Sequence, residues 1–161
     1  MQQSTYLPSY AEYLERARGD APRRESLVIG EHCVPRDRLM AFMQRARAVL
    51  RAQGSEVIYG TIRSILRDTV SFLPWAKDDY ACVVFNLRTV HTAAGVRRTA
   101  AASRALTDAS LALGGSFFLT YHRHATAAQV EAAYPRFREF LQHKQLLDPR
   151  ELFTSDWYRH Y

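Results

Sequence analysis

EVIYGTIRSILRDTVSFLPWAKDDYACVVFNLRTV, residues 56–90, decides the fold. Two stretches of period-two patterning flank a loop that carries Phe72, Pro74 and Trp75. In 56–67, Ile58, Ile62 and Leu66 fall on one side of an extended chain, with Tyr59, Thr61 and Arg63 on the other. In 80–90, Val83, Phe85 and Leu87 alternate with Tyr80, Cys82, Asn86 and Arg88. Alternation over such lengths predicts two strands, each with one buried face.

Working outward, 27–34 reads as a strand ended by Pro35, a residue suited to the first turn of a helix. Leu39, Phe42, Met43, Ala46, Val49 and Leu50 then recur at helical spacing until Gly54. On the other side, 95–113 predicts an Ala-rich helix closed by Gly114-Gly115. A fourth strand is expected over 116–122. Thr126 with Gln129 three residues on forms a capping-box signature. Val130, Ala133, Phe137, Phe140 and Leu141 line the buried side of the helix that follows, which Pro135 should kink. Asp148-Pro149 opens a final turn before Trp157. At the other terminus, 1–25 reads as a lead-in, with a short amphipathic helix near 10–18 and a polar connector through Gly19, Asp20 and Pro22. The order β-α-β-β-α-β predicts an α+β, ferredoxin-like antiparallel sheet with helices on one face. The opposite face is left to meet something else.

Composition fits one globular domain of 161 residues, 47% hydrophobic and 24% charged. No apolar run is long enough to span a bilayer, and the N-terminus lacks the layout of a signal peptide, so the expected location is cytoplasmic. Two cysteines, Cys33 and Cys82, are too few for a disulfide scaffold or a thiolate metal site. The net charge of +6 is spread over 16–24, 36–51, 97–104 and 136–150 and interrupted by acidic residues. With no helix-turn-helix or zinc-finger spacing, it reads as a solvated face and no nucleic-acid partner is expected.

Autonomous motifs are missing. There is no Walker loop, G-x-G-x-x-G, G-x-S-x-G or H-E-x-x-H. Without a glycine-rich loop the chain has no evident backbone cradle for a pyrophosphate. What remains is polar side chains on strands: Tyr59, Thr61 and Arg63 on the second, Tyr80, Cys82, Asn86 and Arg88 on the third. Tyr121-His122-Arg123-His124 is the densest titratable cluster. Period places Phe117, Leu119 and Tyr121 on one side of the fourth strand and Phe118, Thr120 and His122 on the other, without saying which faces out. A His pair two residues apart could contact a metal, but no local carboxylate joins it, so no metal is expected.

VPRDRLMAFM (34–43), EVIYGTIRSILRDTVSFLPWAKDDYACVVFNL (56–87), GGSFFLTYHRHAT (114–126) and DPRELFTSDWYRHY (148–161) together resemble the C-terminal region of FAD-linked oxidoreductases of the vanillyl-alcohol-oxidase type. The likeness runs from about residue 6 to the end and is nearest the sugar- and polyol-oxidising branches: alditol and aldonolactone oxidases and decaprenylphosphoryl-ribose oxidase. It rests on Arg63, Asp68, Leu73 and Pro74, which match an Arg-x4-Asp and Leu-Pro arrangement.

The resemblance implies that 26–161 is a substrate-side cap domain and that 1–25 leads in from an absent N-terminal FAD-binding domain or a partner subunit. It implies hydride transfer from a sugar- or alcohol-like small molecule to FAD. Arg63, Tyr121 and His122 would be catalytic, Thr61, Cys82 and Asn86 would touch substrate, and Tyr121 and Arg123 would touch the cofactor. Thr61 stands where alditol oxidases carry glutamate, Asn86 where they carry histidine, and Tyr121 where both types carry lysine. Tyr121 supplies a hydrogen bond but no fixed charge. A second expectation is a non-catalytic binding or assembly module left after loss of the flavin half. Its bare sheet face would favour homo-oligomers.

Overall fold

A computed structural model describes residues 24–161; the helix expected near 10–18 lies outside the described residues. Four strands, β1 (Glu25–Pro35), β2 (Glu56–Ile65), β3 (Tyr80–Val90) and β4 (Ser116–Phe117), form one antiparallel sheet in the order β2-β3-β1-β4. The helices are α1 (Leu39–Ala52), α2 (Ala93–Leu111), α3 (Ala127–Ala133), α4 (Phe137–Leu147) and α5 (Asp156–His160), with a 3-10 turn at Arg36–Arg38. The fold is α+β, with the strand order of the ferredoxin-like arrangement.

The helices settle on one face because the strands' apolar residues alternate toward it. Val34 on β1 and Val83, Phe85 and Leu87 on β3 meet Phe42 and Ala46 of α1 and Ala102, Leu106 and Ala109 of α2. Phe42 is fully buried here, and cutting it to Ala would cost about 3–5 kcal/mol. Helix α2 begins where Thr92 Oγ1 accepts the Gly95 N–H at 3.0 Å. It ends in a Schellman turn: Gly115 N–H donates to Ser110 O and Gly114 N–H to Leu111 O, with Gly114 at φ +77°.

The third strand and the helices over 39–52 and 93–111 match their sequence expectations, and β2 and β4 differ in instructive ways. Strand β2 stops at Ile65 and carries a bulge between Val57 and Tyr59. Ile62 and Leu66, expected under the helices, are 54% and 72% exposed. The reason is reach: the helical layer covers β1 and β3, and β2 lies at the edge.

Strand β4 ends at Phe117, not at His122. Beyond it the chain turns, because Leu119 is drawn into a second core with Phe117, Val130, Ala133, Tyr134 and Phe137. Trp157 Nε1 holds the Leu119 carbonyl at 3.0 Å from α5. The predicted capping box at Thr126 and Gln129 is present. Pro135 does more than kink the next helix: it separates α3 from α4, since a proline ring cannot continue the i→i−4 ladder.

Candidate functional site

Antiparallel neighbours share a face, so the register reads out the sheet surface opposite α1 and α2. One row across it runs Arg63, Cys82, Cys33 and Ser116; the next runs Thr61, Val84 and Glu31; a third runs Tyr59, Asn86 and Ile29. Phe118 follows β4 and donates its N–H to the Glu31 carbonyl at 3.0 Å. The alternation in β2 and β3 thus gathers Tyr59, Thr61, Arg63, Cys82 and Asn86 as the sequence predicts.

At the centre is Glu31, a residue the sequence reading did not single out. Its side chain is 5% exposed. Arg63 Nη1 donates to Glu31 Oε1 at 3.3 Å, and the Tyr121 hydroxyl donates to the same oxygen at 3.1 Å. The Cys82 thiol points to Oε2 at 3.8 Å. A carboxylate this buried is tolerable only with such partners. Arg63 and Tyr121 are both about half exposed, so they roof the acid and also meet whatever lies above. Partial burial and the Glu31 charge raise the Tyr121 phenol above its usual range, which keeps it protonated as a donor.

Three further groups face the same surface with unused capacity. Thr61 Oγ1, Asn86 Oδ1 and Ser116 Oγ are buried, and none has a hydrogen-bond partner among the described residues. Aromatic surface lies on the β4 side of the face: Phe118 packs on Tyr121 at 4.8 Å between ring centres and meets Trp75 edge-on at 5.7 Å. Trp75 and Ala76, from the β2–β3 connection, close one end of the face over Cys33, Tyr80 and Cys82. Asp68 shapes that connection by accepting the N–H groups of Val70 and Ser71.

Other sequence candidates lie elsewhere. Phe118 and Tyr121 share a side, contrary to strict alternation, because the chain has left the strand between them. His122 goes to the helix side: a Cβ on Gly30, whose partner Phe85 belongs to the helix-side core, would lie 3.2 Å from His32 Nε2 and 3.9 Å from His122 Nε2. His122 stacks on His124 at 4.5 Å. Burial and the neighbouring imidazoles lower His32 to about 3 and His122 to about 4, and burial beside Arg104 lowers His124. Arg123 turns to the Asp156 carbonyl at 3.5 Å, away from Glu31. Cys82 is fully buried beneath the surface, opposite Cys33.

Among the described residues no cluster of three His, Cys, Asp or Glu side chains could hold a metal, and no helix is long and apolar enough to cross a membrane. A recess of about 590 Å³ lies at the far end of the sheet, lined by Arg24, Glu56, Arg88, His91 and Arg98 beside the start of α2. Arg88 there is bound by Glu25 at 2.7 Å and Glu56 at 3.1 Å. The Glu31 face differs from this recess in joining a buried carboxylate to two half-exposed donors, Arg63 and Tyr121. No protein-family model matches the chain, and no curated protein matches it.

Proposed function

We propose that this chain is the substrate-side domain of an FAD-dependent oxidoreductase acting on a sugar- or alcohol-like molecule, completed by an FAD-binding domain or partner subunit. The observation that carries the reading is the array on the sheet face opposite α1 and α2. Buried Glu31 is held by half-exposed Arg63 and Tyr121 beside the unpartnered Thr61 Oγ1 and Asn86 Oδ1.

These residues fit the ring end of FAD. Tyr59, Phe118 and Tyr121 offer flat surface, and Arg63 offers N–H donors to ring carbonyl oxygens. They do not fit the pyrophosphate end. Gly54 and Gly114 serve as helix stops with positive φ, and a Cβ on Gly95 would lie 2.2 Å from the Val90 carbonyl, so its open side is already filled by backbone. The phosphates would therefore rest on the completing domain.

Flavin, when bound, accepts the hydride from the substrate carbon. The chain's own part is to position the substrate and take the proton. Thr61 and Asn86 suit hydrogen bonding to substrate hydroxyls. As the reacting hydroxyl loses its hydrogen, the Tyr121 oxygen receives that proton while its own passes to Glu31. Arg63 holds the carboxylate in place. His122 and Arg123 have no part in this arrangement.

The test uses the full chain and two fragments of the cofactor. Lumiflavin, which has the ring alone, should perturb the NMR signals of Tyr59, Thr61, Arg63 and Tyr121, and ADP should leave them where they are. Lumiflavin without effect on those signals would remove the reading.

A further inference from the structure

The outer edge of β2 carries a second kind of surface. Strand β2 is 10 residues long and pairs with β3 on one side; among the described residues nothing pairs with the other. Natural edge strands are usually blunted by lysine, proline, shortness or a covering segment. Glu56–Ile65 contains neither lysine nor proline. Arg63, the charge in its regular part, is held back on its own sheet by Glu31 at 3.3 Å. The bulge between Val57 and Tyr59 twists one end only. Along the edge Val57, Tyr59, Ile62 and Leu66 are 40%, 45%, 54% and 72% exposed.

The sequence of that edge is symmetric in chemical class about Ile62. IYGT precedes it and RSIL follows. Read outward from Ile62, the pairs are Thr61 and Arg63, both polar, then Gly60 and Ser64, both small. Next come Tyr59 and Ile65, then Ile58 and Leu66, all apolar. An antiparallel strand pairing about a twofold axis joins such positions across the interface, and an isologous interface requires this self-complementarity.

We propose that two copies of this chain pair through their β2 edges, antiparallel and centred on Ile62, to give a continuous eight-stranded sheet (two copies of the four-stranded sheet). Ile62 meets its own copy, Tyr59 meets Ile65, and Thr61 meets Arg63. Aromatic–β-branched and apolar cross-strand pairs are the combinations that favour a ladder. Ile62 pairs with Val83 of the helix-side core and so lies on the face opposite Glu31, which lets its variants test the pairing apart from the flavin reading. A contact made by one strand pair is small beside a standard interface, so the dimer is a dissociable one.

Sedimentation velocity of the full chain from low to high micromolar concentration should show a monomer–dimer equilibrium. Ile62→Lys sets two like charges face to face on the axis. It should leave a monomer throughout with an unchanged circular dichroism spectrum, since the site is exposed. Ile62→Cys should cross-link to a covalent dimer with diamide, whereas Val96→Cys, an exposed control on α2, should not. The native thiols are fully buried and do not compete. A wild-type monomer at every concentration overturns the proposal. So does a dimer that survives Ile62→Lys without Ile62→Cys cross-linking, or growth beyond the dimer, because an isologous pairing closes.

Discussion

The Tyr121 hydroxyl donates to Glu31 Oε1 at 3.1 Å across 90 residues of sequence. The bond ties the turn after β4 to the middle of β1 and sets a neutral donor against a buried acid on the sheet face opposite α1 and α2. Arg63 reaches the same oxygen from β2, so three strands or their extensions converge on one carboxylate.

Glu31→Gln keeps the shape and an acceptor but removes the charge. Since burial and then the Glu31 charge raise the Tyr121 phenol, while Arg63 lowers it, the two variants should act oppositely. In a ¹³Cζ tyrosine titration, one midpoint should fall in Glu31→Gln and rise in Arg63→Ala. Equal midpoints in wild type and Glu31→Gln would show that the pair is not coupled. Arg63 is half exposed but Glu31 is 5% exposed, so Arg63→Ala leaves a buried carboxylate without its cation and should cost about 3 kcal/mol in urea unfolding.

Much of this site was legible by period alone. Tyr59, Thr61, Arg63, Cys82 and Asn86 share a face because side chains in paired strands alternate strictly, and the β3 boundaries follow from the same rule. Period does not mark Glu31, because acid and imidazole sit side by side at Glu31 and His32; the signal is one acid between Ile29 and Cys33 on the same side of the strand. Tyr121 and His122 could not be placed because alternation ends where the strand ends. That end is set by Trp157 and the second core, contacts distant in sequence. The exposure of Ile62 likewise depends on strand order, which no local pattern states.

Acid should weaken the fold through His32. The ring is 2% exposed, packed between Phe42 and Phe85, and its folded pKa of about 3 lies below the ordinary 6.5. A lowered histidine pKa means that the unfolded chain binds more protons between these values. Stability is therefore full above pH about 6.5 and is lost as pH falls toward about 3. At pH 5 the loss from His32 should be about 2 kcal/mol. His122, at about 4, adds to it in the same direction. Urea unfolding at pH 7 and pH 5 measures the difference, and His32→Leu should shrink it. An identical difference in wild type and His32→Leu would assign the acid sensitivity to other groups.

Gly115 is needed for close approach. A Cβ there would lie 2.0 Å from the Cys33 carbonyl oxygen and 2.8 Å from that of Ser110, both backbone atoms that cannot swing aside. Gly115→Ala should push β4 from β1 and lower stability by about 3 kcal/mol, read as a drop in melting temperature. Gly54→Ala, at φ +57° with open space around its Cβ position, is the comparison. It should cost about 1 kcal/mol from backbone strain alone. Equal losses at the two sites would mean that the β1–β4 approach is not tight.

Cys33 and Cys82 face each other directly across β1 and β3, both thiols free and fully buried. Hydrogen bonding to Cys82, then burial, then the neighbouring Cys82 and Glu31 charges push the Cys33 thiol strongly up. Thiolate is the reactive form, so Cys33 should be inert in the folded chain, and full burial should shield both thiols from reagent. Labelling with Ellman's reagent at neutral pH should therefore proceed at the rate of unfolding, and both thiols should react together once urea opens the sheet. Burst labelling of one thiol in native buffer would instead place Cys82 within reach of small molecules from the Glu31 face. Cys82→Ser separates the two cases, because it abolishes a burst from Cys82 while leaving slow labelling of Cys33.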